Sequence, residues 1–298
     1  MADEAQKQLR AYVEYFRDLG VYDFYRRGEP GTLAWPAAEV VAAEEPVVAA
    51  PVSIPRLEAV RTMPATSEPH KIAAAPVLVE GVGVGLAGKL VSFDDLAPRP
   101  ESRIAPEHRA AALKAIQDEI GDCTRCPLAY AGRRKIVFAD GDPAARLMFV
   151  GEGPGADEDE TGVPFVGKAG QLLNNMIQAM GLKREEVYIA NIVKCRPPAN
   201  RVPEPVEANT CSQFLLRQID VVQPKVIVAL GATAATYLLG VKQSLASLRG
   251  LWHSCRGAKL AVTYHPAFLL RDPRQKGEAW KDLQRVMAEL GLKSPAKS

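Results

Sequence analysis

From residue 103 onward, short apolar runs alternate with helical patterns, and this alternation sets the fold class. The apolar, β-rich runs are Arg146–Val150, Val187–Val193, Lys225–Leu230 and Lys259–Tyr264. Helical periodicity covers about 106–120, 168–181, 204–222, 231–240 and 277–291. Strands joined through helices pair in parallel, and a parallel sheet is covered on both faces. The sequence therefore predicts an α/β domain over 103–293, with a four-stranded parallel sheet in three α/β/α layers.

The first 102 residues lack this alternation. Residues 4–19 have apolar side chains at helical spacing and predict an amphipathic helix within 1–27. Such a short helix packs on its own core or frays, and the alternative is a docking helix for a protein partner. Residues 30–100 carry ten prolines and fourteen alanines, with almost no aromatic residues. We therefore expect 28–102 to be a disordered linker.

Charge divides the chain in the same place. Residues 1–102 hold 10 basic and 15 acidic residues, whereas residues 103–298 hold 27 basic and 20 acidic residues. The net charge of +7 in the second part suits a polyanionic partner. No run of 18 apolar residues exists, so a membrane span is not expected. The start of the chain lacks an apolar signal core, and we expect a cytoplasmic, nucleoid-associated monomer.

Polar and glycine-rich segments follow the predicted strands. In open α/β sheets, ligands bind beyond the carboxyl ends of the strands. Gly151–Gly155 follows the first strand, Asn191 ends the second, and His265 follows the fourth. The acidic run Asp157–Glu160 would repel a phosphate, and the lysine-serine pair of a P-loop does not follow. The pattern predicts a pocket for a neutral, flat ring, with a simple strand-to-helix turn as the alternative for the glycines.

Four of the five cysteines have a spacing typical of a metal centre. Cys123 and Cys126 form a C-x-x-C unit, and fifteen residues separate Cys195 from Cys211. Four thiolates complete a tetrahedral zinc site or bind an iron–sulfur cluster. Prolines beside the ligands and the lack of a second C-x-x-C unit favour a cluster, with zinc or free thiols as alternatives. Cys255 is interpreted as an ordinary thiol.

These motifs together resemble the iron–sulfur uracil-DNA glycosylases, family 4 of the uracil-DNA glycosylase superfamily. The matching segments, in order, are Cys123–Leu128, Gly151–Gly155, Glu158–Asp159, Gly162–Gly167, Asn191–Pro198 and Tyr264–Arg271. The resemblance implies a uracil-DNA glycosylase-like fold. It also implies hydrolysis of the N-glycosidic bond of deoxyuridine in DNA, which releases uracil and leaves an abasic site for base-excision repair.

The resemblance implies a role for individual residues as well. A [4Fe–4S] cluster would be held by Cys123, Cys126, Cys195 and Cys211. The uracil pocket would be formed by Glu152, Gly153, Pro154, Phe165, Asn191 and His265. The catalytic candidates are His265, Glu158 and Glu152. Candidates for contact with single- or double-stranded DNA, as a wedge and a phosphate ligand, are Leu269, Leu270 and Arg271.

Two departures from similar enzymes bear on the expected activity. Other members of the superfamily carry a water-activating aspartate at the position of Gly153, so we expect greater reliance here on stabilising the leaving group. A uracil-trapping relative uses a histidine in a basic loop, and the stretch 241–252 before His253 lacks such a basic run. We therefore expect turnover. A non-catalytic iron–sulfur DNA-binding accessory protein remains the alternative from another class.

Overall fold

The computed structural model describes residues 90–293. The predicted helix over 4–19 and most of the predicted linker lie outside the described residues. Among the helices of 90–293, none is both long enough and apolar enough to cross a membrane.

Six strands form one mixed sheet within the described residues. They are β1 Asp140–Gly141, β2 Leu147–Gly151, β3 Tyr188–Asn191, β4 Val226–Leu230, β5 His253–Cys255 and β6 Ala258–Thr263. The sheet order is β1-β3-β2-β4-β6-β5. Strands β3, β2, β4 and β6 are parallel and correspond to the four predicted strands, while β1 and β5 add antiparallel edges. The predicted four-stranded sheet is thus corrected to six strands, because segments of two and three residues are too short to show a period.

Nine α-helices lie within the described residues: the five predicted from periodicity over 103–293, and four of four to six residues each that were not predicted. They are α1 Phe93–Leu96, α2 Pro106–Ile120, α3 Ala156–Thr161, α4 Lys168–Ala179, α5 Pro205–Val222, α6 Ala232–Leu239, α7 Leu245–Leu248, α8 Pro266–Arg271 and α9 Lys276–Leu290. Short 3₁₀ turns occur at Pro127–Tyr130, Arg184–Glu186, Pro198–Asn200 and Pro273–Gln275. Proline lies at the first turn of α2, α5 and α8, where its missing N–H leaves no helical bond unmade.

Alternate residues of the central strands face two separate hydrophobic layers. Met148 and Val150 of β2 pack with the apolar faces of α2, α5 and α6. Leu147 and Phe149 pack on the opposite side with α4 and α9. This period of two places every side chain of β2 in a core, which explains its continuous apolar sequence. The three-layer α/β/α architecture is confirmed.

The folded region begins before residue 103. Phe93 is 0% exposed and belongs to the same core layer as α5. The Arg256 guanidinium donates to the carbonyls of Phe93 and Pro98 and pairs with Asp220. The prediction of a linker over 28–102 is therefore corrected for its last residues, since one buried aromatic anchors them within a stretch of otherwise linker-like composition.

Candidate active site

The pocket residues converge at the carboxyl edge of the sheet. Gly151 ends β2 and lies opposite Asn191, which ends β3 in parallel register. His265 follows β6 and caps α8. Parallel strands share this edge, so three segments far apart in sequence meet there, as predicted.

The missing side chain of Gly151 allows Asn191 and Phe165 to meet. A Cβ placed at Gly151 would overlap both the Asn191 amide oxygen and the Phe165 ring. The ring centroids of Phe165 and His265 lie 5.6 Å apart, with the rings tilted by 34°. The structure thus brings together an aromatic face, a carboxamide and an imidazole, all three of them predicted pocket residues.

Asn191 carries a buried acceptor that the protein does not use. The residue is 2% exposed. Among residues 90–293, its Oδ1 is the only buried side-chain polar atom without a hydrogen-bond partner. Leaving such a group unpaired costs about 1–3 kcal/mol. An N–H donor on a bound ligand would satisfy this atom.

His265 is held in one tautomer. Its Nδ1 accepts a hydrogen bond from the Ala267 N–H at 3.1 Å. A neutral imidazole has one protonated nitrogen, so the proton lies on Nε2. Burial, assisted by the positive charge of Arg271, lowers the pKa of His265 to about 4, while Glu158 acts in the opposite direction. Near neutral pH the side chain is therefore an uncharged Nε2–H donor.

Glu158 joins two loops of the pocket. Its Oε2 accepts the Gly155 N–H at 3.0 Å, and its Oε1 accepts the N–H groups of Val166 and Gly167 at 2.9 and 3.0 Å. The buried Asp159 accepts the Arg134 N–H at 2.9 Å. Part of the acidic run after β2 therefore fixes backbone segments in place.

The other predicted residues after β2 lie in the adjoining loop. The Glu152 carbonyl accepts the Val193 N–H at 3.1 Å, and the Glu152 side chain is partly exposed. A Cβ at Gly153 would approach Val193 Cγ2 to 2.7 Å, so this loop packs tightly against the segment after β3. Pro154 is buried. The loop thus follows the end of β3 closely.

Helix α8 separates the two leucines proposed as a wedge. Leu269 is 1% exposed and packs inside the protein, whereas Leu270 is 43% exposed. Arg271 is exposed as well. A side chain that enters a base stack has to project from the surface, and Leu270 meets this requirement.

The four cysteines predicted as ligands line one cavity. Its walls are formed by Cys123, Cys126, Cys195 and Cys211, together with Arg125, Arg133, Lys194 and apolar side chains. Cys255 is buried in β5, away from this cavity. Within residues 90–293, no group of three or more His, Cys, Asp or Glu side chains is spaced for a single metal ion.

Hydrogen-bond donors point at three of the sulfurs. The Arg133 guanidinium donates to Cys195 Sγ at 3.4 Å, and that of Arg125 donates to Cys123 Sγ at 3.5 Å. The Lys194 backbone N–H donates to Cys211 Sγ at 3.3 Å. Burial raises the pKa of the Cys211 thiol to about 12. The cations and N–H donors fit bound thiolates, whose negative charge they offset.

Two further residues were missed by the sequence reasoning. Lys194 is fully buried, and its Nζ donates to the Asn191 carbonyl at 2.9 Å and to Gln218 Oε1 at 2.6 Å. Arg184 donates to the carbonyls of Pro164 and Phe165. Lys194 lies within a predicted motif, but a lysine is almost never fully buried unless it is paired, so its burial was not expected. Arg184 lies in a charged stretch typical of a surface turn.

Comparison with known proteins agrees with this arrangement. The family model described as "Uracil DNA glycosylase superfamily" matches residues 138–284. A "Type-4 uracil-DNA glycosylase" of Thermotoga maritima is 46% identical over 183 residues, which is 61% of this chain and 92% of that protein. The enzyme of that name from Pyrobaculum aerophilum is 41% identical, covering 57% and 91%. The one from Archaeoglobus fulgidus is 38% identical, covering 62% and 96%.

One solved structure, "The crystal structure of WT Pedobacter heparinus SMUG2", aligns with 13% identity and a TM-score of 0.36 over 60% of this chain and 96% of that one. The sequence relatives are far closer, and each is matched over more than nine-tenths of its length. The chain therefore belongs to the type-4 uracil-DNA glycosylases of the uracil-DNA glycosylase superfamily.

Proposed function

We propose that the protein hydrolyses the N-glycosidic bond of deoxyuridine in DNA, releasing uracil and leaving an abasic site for base-excision repair. The observation that carries this proposal is the buried, unpartnered Oδ1 of Asn191. This atom lies beside Gly151 together with the Phe165 ring, and the Phe165 ring centroid lies 5.6 Å from that of the neutral His265 imidazole. The names of the type-4 relatives support the same activity.

Recognition follows from the hydrogen-bonding edge of the base. A base in a duplex has to leave the stack before it reaches such a pocket. The Phe165 ring then stacks on the extruded base, a contact worth about 1–3 kcal/mol. Asn191 Oδ1 accepts the N3–H of uracil, and its NH₂ group donates to O4. Cytosine presents an acceptor at N3 and a donor at its exocyclic amine. It would therefore place an acceptor against Asn191 Oδ1 and a donor against the Asn191 NH₂ group.

Bond cleavage depends on stabilising the departing uracil anion. The neutral Nε2–H of His265 donates to uracil O2, and this bond strengthens as negative charge grows on the base. Only an interaction that is stronger in the transition state raises the chemical rate. Gly153 supplies no carboxylate to activate water, so this electrostatic contribution carries more of the rate enhancement.

The two glutamates have different proposed roles. Glu158 engages both carboxylate oxygens with three backbone N–H groups, which supports a positioning role for the Gly155 and Gly167 loops. The partly exposed Glu152 follows Gly151 at the pocket edge, where solvent reaches it. We assign the orientation of the attacking water, or stabilisation of the sugar cation, to Glu152.

DNA contact is assigned to the exposed side of α8. Leu270 would fill the gap left by the extruded base, and Arg271 would bind a flanking phosphate. The expected basic surface of 103–298 adds non-specific affinity that falls with salt. The expectations of a monomer, of a cytoplasmic location and of a partner for the N-terminal helix remain predictions.

We also propose that the four cysteines hold a [4Fe–4S] cluster. The donor set supports it: four sulfurs line one cavity, and two arginines and a backbone N–H point at three of them. When bound, the cluster would supply a covalent cross-link between the segment before β1, the segment after β3 and helix α5. Glycosidic hydrolysis transfers no electron, so the proposed role is structural.

The direct test is strand scission at a single uracil. An end-labelled oligonucleotide with one deoxyuridine is incubated with the full-length holoprotein and then treated with alkali. We expect one new band at the uracil, for single strands and for a U·G pair, and none in a matched cytosine oligonucleotide. Binding without scission on every substrate would favour a non-catalytic DNA-binding module instead.

A further inference from the structure

Phe165, the proposed stacking surface, has a backbone conformation that bulky residues rarely adopt. Its φ angle is +53°, in the left-handed region. An aromatic residue stays there only when its surroundings determine the conformation. The orientation of the ring over the pocket therefore depends on whatever fixes the peptide groups on either side of Phe165.

Arg184 binds both of those peptide groups. Its Nη2 donates to the Pro164 carbonyl at 2.6 Å, and its Nη1 donates to the Phe165 carbonyl at 3.0 Å. The peptide bond is planar. The Pro164 carbonyl therefore lies in the peptide plane before the Phe165 Cα, and the Phe165 carbonyl lies in the peptide plane after it. One guanidinium thus constrains the two planes that define φ and ψ of Phe165.

Arg184 is itself fixed from two sides. Its Nε donates to Asp140 Oδ2 at 2.7 Å, and Nη1 also donates to Asn174 Oδ1 at 2.8 Å. Asp140 lies on the edge strand β1, and Asn174 lies on α4. A planar guanidinium with five N–H donors can make these four contacts at once, whereas a lysine ammonium has three donors and no fixed plane.

The loop that carries Phe165 is also held by contacts with α4 and with Glu158. A Cβ at Gly170 would overlap the Phe165 carbonyl, so α4 packs directly against this backbone. Glu158 holds the N–H groups of Val166 and Gly167, the next two residues. Arg184 engages carbonyls and Glu158 engages amides, so they constrain successive peptides of one loop in complementary ways.

We propose that Arg184 is a positioning residue for uracil stacking: together with Asp140 it holds Phe165 in its left-handed conformation and sets the ring against the base. This inference rests on the proposed function for its catalytic consequence. Its structural part, the dependence of the Phe165 ring on Arg184, stands apart from any activity.

The structural part is tested by ¹⁹F NMR on the full-length holoprotein labelled with 4-fluorophenylalanine. The chain has eight phenylalanines, and Phe165→Leu assigns the resonance of interest. We expect Arg184→Lys to shift or broaden that resonance and to leave the others in place. The matched control is Arg109→Lys, because Arg109 likewise donates to two carbonyls and a side chain, at Ile104, Val222 and Gln223. Ile104 and Val222 belong to the core layer on the other side of the sheet from Phe165. The control should leave the Phe165 resonance unchanged.

The catalytic part is tested by a double-mutant cycle under single-turnover conditions. Arg184→Lys should slow uracil release by about 10- to 100-fold, the range of a lost base stack. It should leave the dissociation constant for DNA nearly unchanged, because phosphate contacts dominate affinity. In a Phe165→Leu background the same substitution should add little further loss, since the ring that Arg184 positions is absent. Asp140→Asn should give a smaller loss in the same direction.

Each result bears on one claim. An unchanged Phe165 resonance in folded Arg184→Lys and Arg184→Ala proteins would overturn the inference. Additive losses with Phe165→Leu would also overturn it, because Arg184 would then act independently of the ring. A shifted resonance in a protein whose wild type never excises uracil would refute the proposed function and keep the positioning role. If Arg184→Ala does not fold, Arg184→Lys and Asp140→Asn carry the test.

Discussion

The proposed uracil pocket and the cysteine cavity both include residues at or just after the carboxyl end of β3, yet they suit ligands of different charge. The pocket presents an unpartnered acceptor on Asn191 and a neutral imidazole, a combination that suits an uncharged base. The cavity presents four sulfurs with Arg125 and Arg133 donating to two of them, which suits a negatively charged group. Lys194 connects the two, since its Nζ binds the Asn191 carbonyl and its N–H binds Cys211 Sγ.

This difference separates recognition of the base in the pocket from stabilisation of the fold at the cysteine cavity. In the proposed pocket, single hydrogen-bonding atoms of Asn191 would determine which base is accepted, so a change of one atom should affect the rate with little effect on the fold. In the cavity, the proposed cluster would hold segments of the chain together, so a change there should affect stability first and the rate through Lys194. The following substitutions test that division.

The largest effect is expected from Asn191→Asp. The carboxylate loses the donor for O4 and places a charge beside the ring, and sites that read a polar edge can reject a mismatch by about 10⁴–10⁵. Single-turnover uracil release should fall by several orders of magnitude. The visible absorption of the proposed iron–sulfur cluster should stay unchanged, because Asn191 is not one of its ligands. Asn200→Asp, at an exposed 3₁₀ turn, is the control. Near wild-type release by Asn191→Asp would remove this residue from recognition.

His265→Ala should reduce single-turnover cleavage by about 10²–10³, the scale of losing one donor to a developing oxyanion. Affinity for uracil-containing DNA should change much less. His108→Ala, on the exposed side of α2, provides the control. A variant with a normal rate and weak DNA binding would make His265 a DNA contact instead of a leaving-group ligand.

Cys195→Ser tests the proposed structural role of the cysteine cavity. The holoprotein should be brown, with broad absorption near about 400 nm, and the variant should lose this colour and become less soluble. Uracil release should fall by about tenfold, since Lys194 ties the cavity to Asn191. Cys255→Ser should keep both colour and rate, because Cys255 lies outside the cavity. A colourless, fully active wild type that holds one zinc would contradict the cluster.

Truncation of the N-terminus should leave both the pocket and the cysteine cavity intact if it ends at residue 89. Removing 1–89 should change the rate by less than about tenfold, because linker-like composition builds no pocket. Removing 1–100 also deletes Phe93, whose loss from a core costs about 3–5 kcal/mol. We expect the midpoint of thermal unfolding to drop by about 10 °C only in the second case. Equal stability of the two truncations would show that Phe93 contributes little.

The smallest effect concerns pH. The pKa of His265 is lowered to about 4, below its value of about 6.5 in an unfolded chain. The unfolded state therefore binds the proton first, and stability is present above pH ~6.5 and lost as the pH falls towards 4. Single-turnover cleavage should show no inflection near 6.5. An inflection there that disappears in His265→Ala would mean that the imidazole titrates normally.

The sequence was sufficient to predict those parts of the molecule that show hydrophobic periodicity or a characteristic motif spacing. The parallel strands and their helices were predicted from periodicity, and Asn191 and His265 from their place at strand ends. Strand β1 was missed because two residues show no period. Arg184 was missed because hydrogen bonds to the carbonyls of a distant loop leave no trace in a charged stretch. The choice between Leu269 and Leu270 needed the helix itself, since adjacent residues differ only in the direction they face.

We expect one pocket, in which Asn191 contacts the edge of the base, to excise uracil and reject cytosine. The most direct test of this expectation measures free base released into solution from two DNA substrates that are identical except for a radiolabelled uracil or a radiolabelled cytosine. The wild-type holoprotein should release uracil and no measurable cytosine, and Asn191→Asp should lose nearly all uracil release. Equal release of both bases, or undiminished uracil release by Asn191→Asp, would contradict it.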